Sequence, residues 1–186
     1  MAVTNCKVQF GITNVCGDLL QTSGVGPDIY VGYTSDLSIR FPLTQAAAIS
    51  SISWLAYAGL VKFAGYKWTN EASYELAKGA GGSMSYVQKL TIRAMNLSSQ
   101  DDLELQKLTQ AQNLFAIVPD NNENFFIFGA SNGMTADAGV IKTFGKGQGE
   151  DILSSVSLTG NEKTIPLRFF VTDYTTTVLY LENSIR

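Results

Sequence analysis

Histidine is missing from all 186 residues, and cysteine occurs only twice, as Cys6 and Cys16. Without histidine the chain has no Ser-His-Asp or Cys-His catalytic arrangement, and it lacks the commonest metal-ligating side chain. Two cysteines without histidine also make a poor zinc site. We expect a reduced pair of cysteines, with a disulfide between them as the alternative. These absences predict a protein that is not an enzyme and that holds no metal or cofactor.

Charged side chains are also scarce, since they make up 16% of the chain, against roughly 25% in an average protein. The formal net charge is −3. A surface that grips nucleic-acid phosphates should be basic, so tight DNA binding is not expected. Few charges with ordinary apolar content indicate either a neutral, hydroxyl-rich surface or a surface that neighbouring subunits partly cover.

Long apolar runs are absent as well. Residues 41–61 carry no charge, but they include Pro42, Thr44, Gln45 and several serines, whereas a spanning helix needs about 20 predominantly apolar residues. The first ten residues, MAVTNCKVQF, lack the basic start and the apolar run of a signal peptide. We therefore expect no membrane insertion.

Alternating and aromatic runs, bounded by glycine, asparagine and proline, predict a mainly β domain that spans residues 1–186. The predicted strands are residues 8–12, 29–33, 66–76, 86–97, 114–118, 125–128, 152–158 and 167–172. Gly160 and Asn161 are expected to break the run that begins at residue 152. Residues 49–57 fit either a helix or a buried strand, because periodicity does not separate the two for a short apolar run.

The alternation is strictest over residues 66–76, which predicts one packed face and one wet face. The apolar face carries Tyr66, Trp68, Ala72, Tyr74 and Leu76. On the polar face, Glu71 and Glu75 are placed to oppose Lys89 and Arg93 of the return strand.

One helix is predicted, from about Ser99 to Asn113. Ser98 is a good N-cap residue, and Asp101 lies three residues later, as in a capping box. Leu105 and Leu108 follow at helical spacing, which predicts an amphipathic helix with one buried face.

The acidic and glycine-rich segments predict no chemistry. Lys146 in the loop 145–149 is followed by glycine, whereas a phosphate-binding loop has serine or threonine there. The carboxylates that flank turns, where hydration and backbone hydrogen bonds favour them, are Glu123, Glu150, Asp151 and Glu162. We predict that none of them is catalytic.

Several short motifs follow one another in order along the chain. They are GVGPDIYVG at 24–32, FFIFG and ASNGM at 125–134, a glycine-rich loop that ends in GED at 149–151, and LTGNE at 158–162 before Pro166. Together with the capped helix, this order resembles that of bacteriophage tail-tube-like virion proteins, a superfamily that includes the tubes of type VI secretion systems.

The resemblance implies an antiparallel β-sandwich or barrel with one amphipathic helix. It also implies a non-enzymatic tail-tube subunit whose sheet closes with its copies into homo-oligomeric rings, usually of six. Stacked rings would form a conduit for DNA ejection, with DNA passing a neutral or acidic lumen without specific binding. The implied partners are further copies and other tail proteins, in a virion assembled in the bacterial host cytoplasm.

Loops 17–27 and 41–61, which are long and poorly charged, are the predicted contacts with the next subunit or ring. Two alternatives stay open. One is a tail terminator, a hub or a head-to-tail ring component of the same fold. The other, from a different class, is a monomeric β-sandwich that serves as a carbohydrate-binding module or a glycosidase.

Overall fold

Ten strands and two α-helices occupy the part of the chain that the computed structural model describes, namely residues 24–41, 48–65, 69–79, 82–95, 98–137, 142–143 and 153–186. In chain order the elements are β1 (Asp28–Tyr33), β2 (Val61–Ala64), β3 (Glu71–Lys78), β4 (Met84–Met95), α1 (Ser99–Gln110), β5 (Leu114–Pro119), β6 (Phe125–Phe128), β7 (Thr135–Ala136), β8 (Lys142–Thr143), β9 (Leu153–Glu162), β10 (Leu167–Phe169) and α2 (Tyr174–Asn183). A short 3₁₀ turn, Thr34–Asp36, follows β1.

The strands form two antiparallel sheets whose inner faces share a hydrophobic core. Sheet I has the strand order β10-β6-β5-β1-β2. Sheet II has the order β3-β4-β9-β7, and β8 also pairs with β9. Neither sheet closes within the described residues, so the protein is a mainly β, sandwich-like α+β fold and not a barrel. The predicted antiparallel β-sandwich is confirmed.

Sheet I is buried on both faces, which explains its nearly continuous apolar strands. Alternate residues of β5 point into two separate cores. Leu114 and Val118 join the core between the sheets, whereas Phe115 and Ile117 join a second core on the far face of sheet I. Leu181 of α2 lies in that second core, so α2 and the irregular chain before β2 cover the far face.

Helix α1 begins where its sequence predicts. The Ser98 hydroxyl accepts a hydrogen bond from the Asp101 backbone N–H, and the Asp101 carboxylate accepts one from the Ser98 backbone N–H, which completes the capping box. The Ser98 hydroxyl also donates to the Asp101 carboxylate at 2.7 Å, and this bond, together with the one from the Ser98 backbone N–H, lowers the pKa of Asp101. Leu105 and Leu108 are buried against the core between the sheets, so the predicted amphipathic helix is confirmed, although it ends at Gln110.

The prediction of a single helix is wrong in its count, because α2 is a second one. Its sequence, YTTTVLYLEN, is rich in β-branched residues that favour strands. Asp173 nevertheless caps it by accepting a hydrogen bond from the Thr176 backbone N–H at 2.8 Å. That bond lowers the pKa of Asp173, and burial of Leu181 and Thr177 holds the helix on sheet I.

The predicted break at Gly160 is also wrong, since β9 continues to Glu162. It continues because β4 pairs with it over its whole length, to the partners Tyr86 and Glu162. Glycine is needed there for space, because a Cβ on Gly160 would lie 2.6 Å from the Gly133 carbonyl oxygen. β10 is shorter than predicted and ends at Phe169.

Residues 49–57 form neither a regular helix nor a regular strand. Two single bridges hold this segment, one from Trp54 to Leu37 and one from Ile49 to Phe169. The predicted strand 8–12, both cysteines and the glycine-rich loop 145–149 lie outside the described residues.

Candidate functional site

The most exposed apolar surface of the sheets is the outer half of the β3–β4 hairpin. β3 pairs with β4 from Glu71 opposite Thr91 to Lys78 opposite Met84. The Gly79 N–H then donates to the Ser83 carbonyl at 2.8 Å, which closes the hairpin. β3 is an edge strand of sheet II, so its outer N–H and C=O groups face no other strand in the described part of the chain.

Burial along the inner face of this hairpin falls from base to tip. At the base, Leu90 and Gln88 of β4 are buried. Toward the tip, the exposed fraction is 53% for Tyr74, 58% for Leu76 and 65% for Met84. We call these three side chains the tip face. The prediction that Tyr74 and Leu76 pack is therefore wrong, because sheet I covers only the base of the hairpin; Tyr66 and Trp68 lie outside the described residues.

The opposite face of the hairpin is polar and nearly neutral. Lys89 pairs with Glu75 at 2.9 Å, and Arg93 lies 3.5 Å from Glu71, so the predicted cross-strand pairs are confirmed. The hydrogen bond to Glu75 raises the pKa of Lys89. The face continues across sheet II as hydroxyl groups of β4 and β9, which include Thr91, Ser155, Ser157 and Thr159.

Two buried polar side chains of sheet II hold the turn after β6. Gln88 accepts a hydrogen bond from the Gly129 N–H at 2.9 Å and donates one to the Thr164 carbonyl at 3.0 Å. Glu162 accepts from the backbone N–H groups of residues 131, 132 and 133, at 3.0, 2.9 and 3.0 Å. This Gln88–Glu162 cluster ties the turn of sheet I to β4 and β9.

The surroundings of Glu162 suit a structural anchor. Burial raises the pKa of its carboxyl group, and the three N–H donors, which favour the carboxylate, oppose that shift. Both of its oxygens are engaged by the backbone. Glu123 lies exposed in a turn at a φ of 64°, and Glu150 and Asp151 lie outside the described residues. That these four carboxylates do no chemistry stays a prediction.

A groove of about 890 Å³ opens between the sheets beside the base of the hairpin. Its floor is apolar and includes Val118, Phe126 and Phe128. Three charged residues also border the groove, namely Glu71, Asp120 and Arg168, although the Glu71 side chain itself lies on the outer face of sheet II beside Arg93. Arg168 donates to the Asn124 side-chain oxygen at 2.6 Å, and Asp120 accepts the Asn122 and Asn124 N–H groups at 2.8 Å, so both are held in place.

A second exposed apolar feature lies in the predicted contact loop 41–61. The Ala58 N–H bonds the Leu55 carbonyl at 3.2 Å and closes a tight turn over residues 55–57. Leu55 is exposed, and the exposed fraction of Tyr57 is 102%. Tyr57 has a φ of 64°, which is unusual for a bulky residue that is not glycine. Its side chain contacts no partner among the described residues.

The C-terminal helix is fastened by an ion cluster at the far edge of sheet I. Lys62 of β2 lies 2.7 Å from Glu182 of α2 and 3.1 Å from Asp28. The Tyr30 hydroxyl donates to Glu182 at 2.9 Å. The hydrogen bond from Lys62 lowers the pKa of Glu182 and raises that of Lys62, whereas burial raises the pKa of Tyr30.

The part of loop 17–27 that the structure describes is packed. The Gly26 N–H bonds the Pro119 carbonyl at 2.8 Å, and the Asn70 amide donates to the Pro27 carbonyl at 3.0 Å. No group of three or more acidic, cysteine or histidine side chains could hold a metal ion among the described residues. Of the helices described, none is long and apolar enough to cross a membrane.

No protein-family model, curated protein or solved structure matches this chain. The tip face was not predicted from the sequence, because alternating apolar and polar residues form the same pattern whether the apolar face is exposed or packed. The position of these residues along the strands was the one indication in the sequence, because Leu76 and Met84 lie close to the glycine-rich hairpin tip.

Proposed function

We propose that this chain is a non-enzymatic virion structural protein of the tail-tube type. Its copies form homo-oligomeric rings, six-membered in the proteins that the motifs resemble, and the rings stack into a conduit for DNA ejection. The observation that carries the proposal is the tip face beside the edge of β3, which no other described strand pairs. The motif order and the open antiparallel sandwich are consistent with it.

A free edge strand next to exposed Tyr74, Leu76 and Met84 is a liability for a protein that stays monomeric. Fully burying one such side chain is worth about 1.5–3 kcal/mol. An interface that covered the tip face would bury these side chains. Pairing β3 with a strand of the next copy would satisfy the N–H and C=O groups of its edge. In the proposed ring β3 pairs with a different surface of the next copy, which makes the contact head-to-tail, and a head-to-tail contact that closes gives a ring.

The outer face of sheet II suits the wall of a conduit for DNA. Its lysine and arginine are neutralised in pairs with Glu75 and Glu71, and hydroxyl groups occupy much of the rest. Each phosphate contact by a free cation would strengthen binding and slow passage. A neutral face lets DNA slide past without being retained.

The proposed partners are further copies of this chain and other tail proteins, in a particle assembled in the bacterial host cytoplasm. A tail terminator, hub or head-to-tail ring component would use the same surfaces but form a single ring. A monomeric carbohydrate-binding module or glycosidase would instead use the groove, which Asp120 borders.

Negative-stain images of the purified protein test the proposal. We expect rings or stacked tubes, whereas single rings that never stack would favour a terminator or hub. Particles of the 20.1 kDa monomer at every concentration would contradict the proposal and leave the binding module as the better account.

A second experiment tests the conduit wall. The double variant Ser157→Lys and Thr159→Lys adds two cations to the outer face of sheet II. We expect its tubes to retain DNA at low salt and release it at high salt, while wild-type tubes retain none. Gln106→Lys on the exposed face of α1 is the control for charge alone, and equal retention by both variants would place the conduit wall elsewhere.

A further inference from the structure

We propose that Asn132 is a latent deamidation site, which the Glu162 carboxylate keeps unmodified in the folded protein. Asn132 and Gly133 form the only Asn-Gly pair in the sequence. Such pairs lose ammonia readily, because glycine has no side chain to hinder attack by its backbone nitrogen. The protection would act in a monomer and in a ring alike, so it does not depend on the proposed function.

Deamidation begins at the backbone nitrogen of Gly133. Once this nitrogen has lost its proton, it attacks the side-chain carbonyl carbon of Asn132, and the side-chain nitrogen leaves as ammonia after taking a proton from water. Water then opens the resulting cyclic imide to give aspartate or isoaspartate. Asn132 is exposed, so water has access to the site. The reaction therefore requires an anionic nitrogen at Gly133 and an Asn132 side chain that is free to rotate.

The surroundings of Gly133 oppose the anion. Its N–H donates to a Glu162 oxygen at 3.0 Å, and the Asn132 N–H donates to the same oxygen at 2.9 Å. Glu162 is buried, with an exposed fraction of 1%, so salt screens its charge little. A negative nitrogen at Gly133 would lie directly beside the carboxylate, and a like charge so close disfavours the ionised form at least about tenfold.

The side chain of Asn132 is held as well. Its amide donates to the Asn161 carbonyl at 2.6 Å, which directs the side chain toward β9. Attack by Gly133 requires that this hydrogen bond break and that the side chain rotate. Asn161 and Glu162 are the last two residues of β9, so the end of one strand restrains both reacting groups.

The fold requires both residues of this labile pair. Gly133 has a φ of 82°, and a Cβ there would lie 2.6 Å from the Asn113 Cα, so a larger residue does not fit. Asn132 supplies the hydrogen bond to β9. Aspartate at this position would lose that donor and add a second carboxylate beside Glu162, and isoaspartate would add a methylene to the backbone. Modification would therefore loosen the turn that joins the two sheets.

Removing the charge of Glu162 tests its protective role. Peptide mapping by mass spectrometry, after incubation at mildly alkaline pH, measures the rate at Asn132, and near-UV circular dichroism verifies folding. We expect at least about tenfold faster deamidation in Glu162→Gln than in the wild-type protein. Gln88→Met is the control, because it loosens the same turn at Gly129 but leaves the carboxylate in place. An unchanged rate in Glu162→Gln, or equal acceleration in Gln88→Met, would overturn the inference.

A comparison within one chain serves where Glu162→Gln does not fold. Lys78→Asn places a second Asn-Gly pair at the exposed hairpin tip, where the Gly79 N–H donates to a neutral acceptor, the Ser83 carbonyl, at 2.8 Å. We expect the introduced asparagine to deamidate at least about tenfold faster than Asn132 in the folded chain. The ratio of the two rates in urea corrects for the neighbouring residues. Modification of Asn132 as fast as the tip, after this correction, would contradict protection by Glu162.

Discussion

The base and the tip of the β3–β4 hairpin are built from the same two strands, with the same alternation, yet they have opposite environments. At the base, Leu90 is buried beneath sheet I. At the tip, Leu76 and Met84 stand in solvent, at exposed fractions of 58% and 65%. The inner face is therefore apolar beyond the point where the chain's own second sheet covers it.

This difference separates two uses of an apolar face. Alternation decides which face of a strand is apolar, but the reach of the opposing sheet decides whether that face is buried. The base of the hairpin stabilises the subunit. The tip contributes little to the subunit, and we attribute its apolar side chains to contact with another copy.

The largest contrast should come from shortening a leucine at each end. Leu90→Ala should lower the free energy of unfolding by about 2–5 kcal/mol, because it opens a cavity in the core. Leu76→Ala should change it by no more than about 0.5 kcal/mol, as exposed substitutions usually do. Urea denaturation at a concentration that keeps the chain monomeric measures both, and equal losses would show that the tip is packed within the subunit.

A smaller loss is expected from the Gln88–Glu162 cluster. Glu162→Gln replaces one accepting oxygen with an N–H₂ group that faces a backbone N–H donor. We expect a loss of about 1–3 kcal/mol in the free energy of unfolding, which is the usual cost of an unsatisfied buried polar group. Thermal or urea unfolding measures it, with exposed Glu123→Gln as the matched control. No difference between the two variants would contradict the structural role of the cluster.

The ion cluster that fastens α2 should be weaker and dependent on pH. Because the folded protein lowers the pKa of Glu182, its stabilisation is present above the ordinary glutamate pKa of about 4.3, and it is lost as the pH falls through the lowered value. The pair is partly exposed, so we expect about 0–1 kcal/mol. Glu182→Gln should unfold more easily at pH 7 and lose less stability than wild type between pH 5 and 3. Parallel pH curves for the two proteins would refute this assignment.

The smallest effect is expected on the outer face of the hairpin. Glu75→Gln breaks an exposed pair with Lys89, and such pairs contribute little to stability because water and salt screen them. The unfolding midpoint of the monomer should barely move. The variant instead frees a cation on the proposed conduit wall, so tubes of Glu75→Gln should retain slightly more DNA at low salt than wild-type tubes.

Much of the fold was predictable because its signals are local. The capping box at Ser98 and Asp101, the run at Phe125–Phe128 and the cross-strand charges at Lys89 and Glu75 each follow from neighbouring residues. The predictions failed where tertiary contacts decided the outcome. Strand β9 runs through Gly160 because β4 pairs along it, and α2 forms from strand-favouring residues because sheet I buries its apolar face.

The candidate site was less predictable than the fold. An exposed Leu76 and a buried Leu90 differ only in what lies above them, and that depends on the packing of the two sheets. The groove joins β3, β5, β6 and β10 with the chain before β1, which no local pattern brings together. The loop 41–61, predicted as a contact because it carries no charge, does expose Leu55 and Tyr57. That it contacts another copy stays a prediction.

The most direct test of the account is the mass of the protein in solution, measured by sedimentation velocity over a wide concentration range, with Leu76→Lys beside the wild-type chain. Leu76 is exposed, so the lysine should leave the monomer folded while placing a charge in the proposed interface. The account predicts assemblies of several subunits for wild type and 20.1 kDa monomers for the variant. Wild-type protein that remains a 20.1 kDa monomer at every concentration, or a variant that assembles as wild type does, would contradict it.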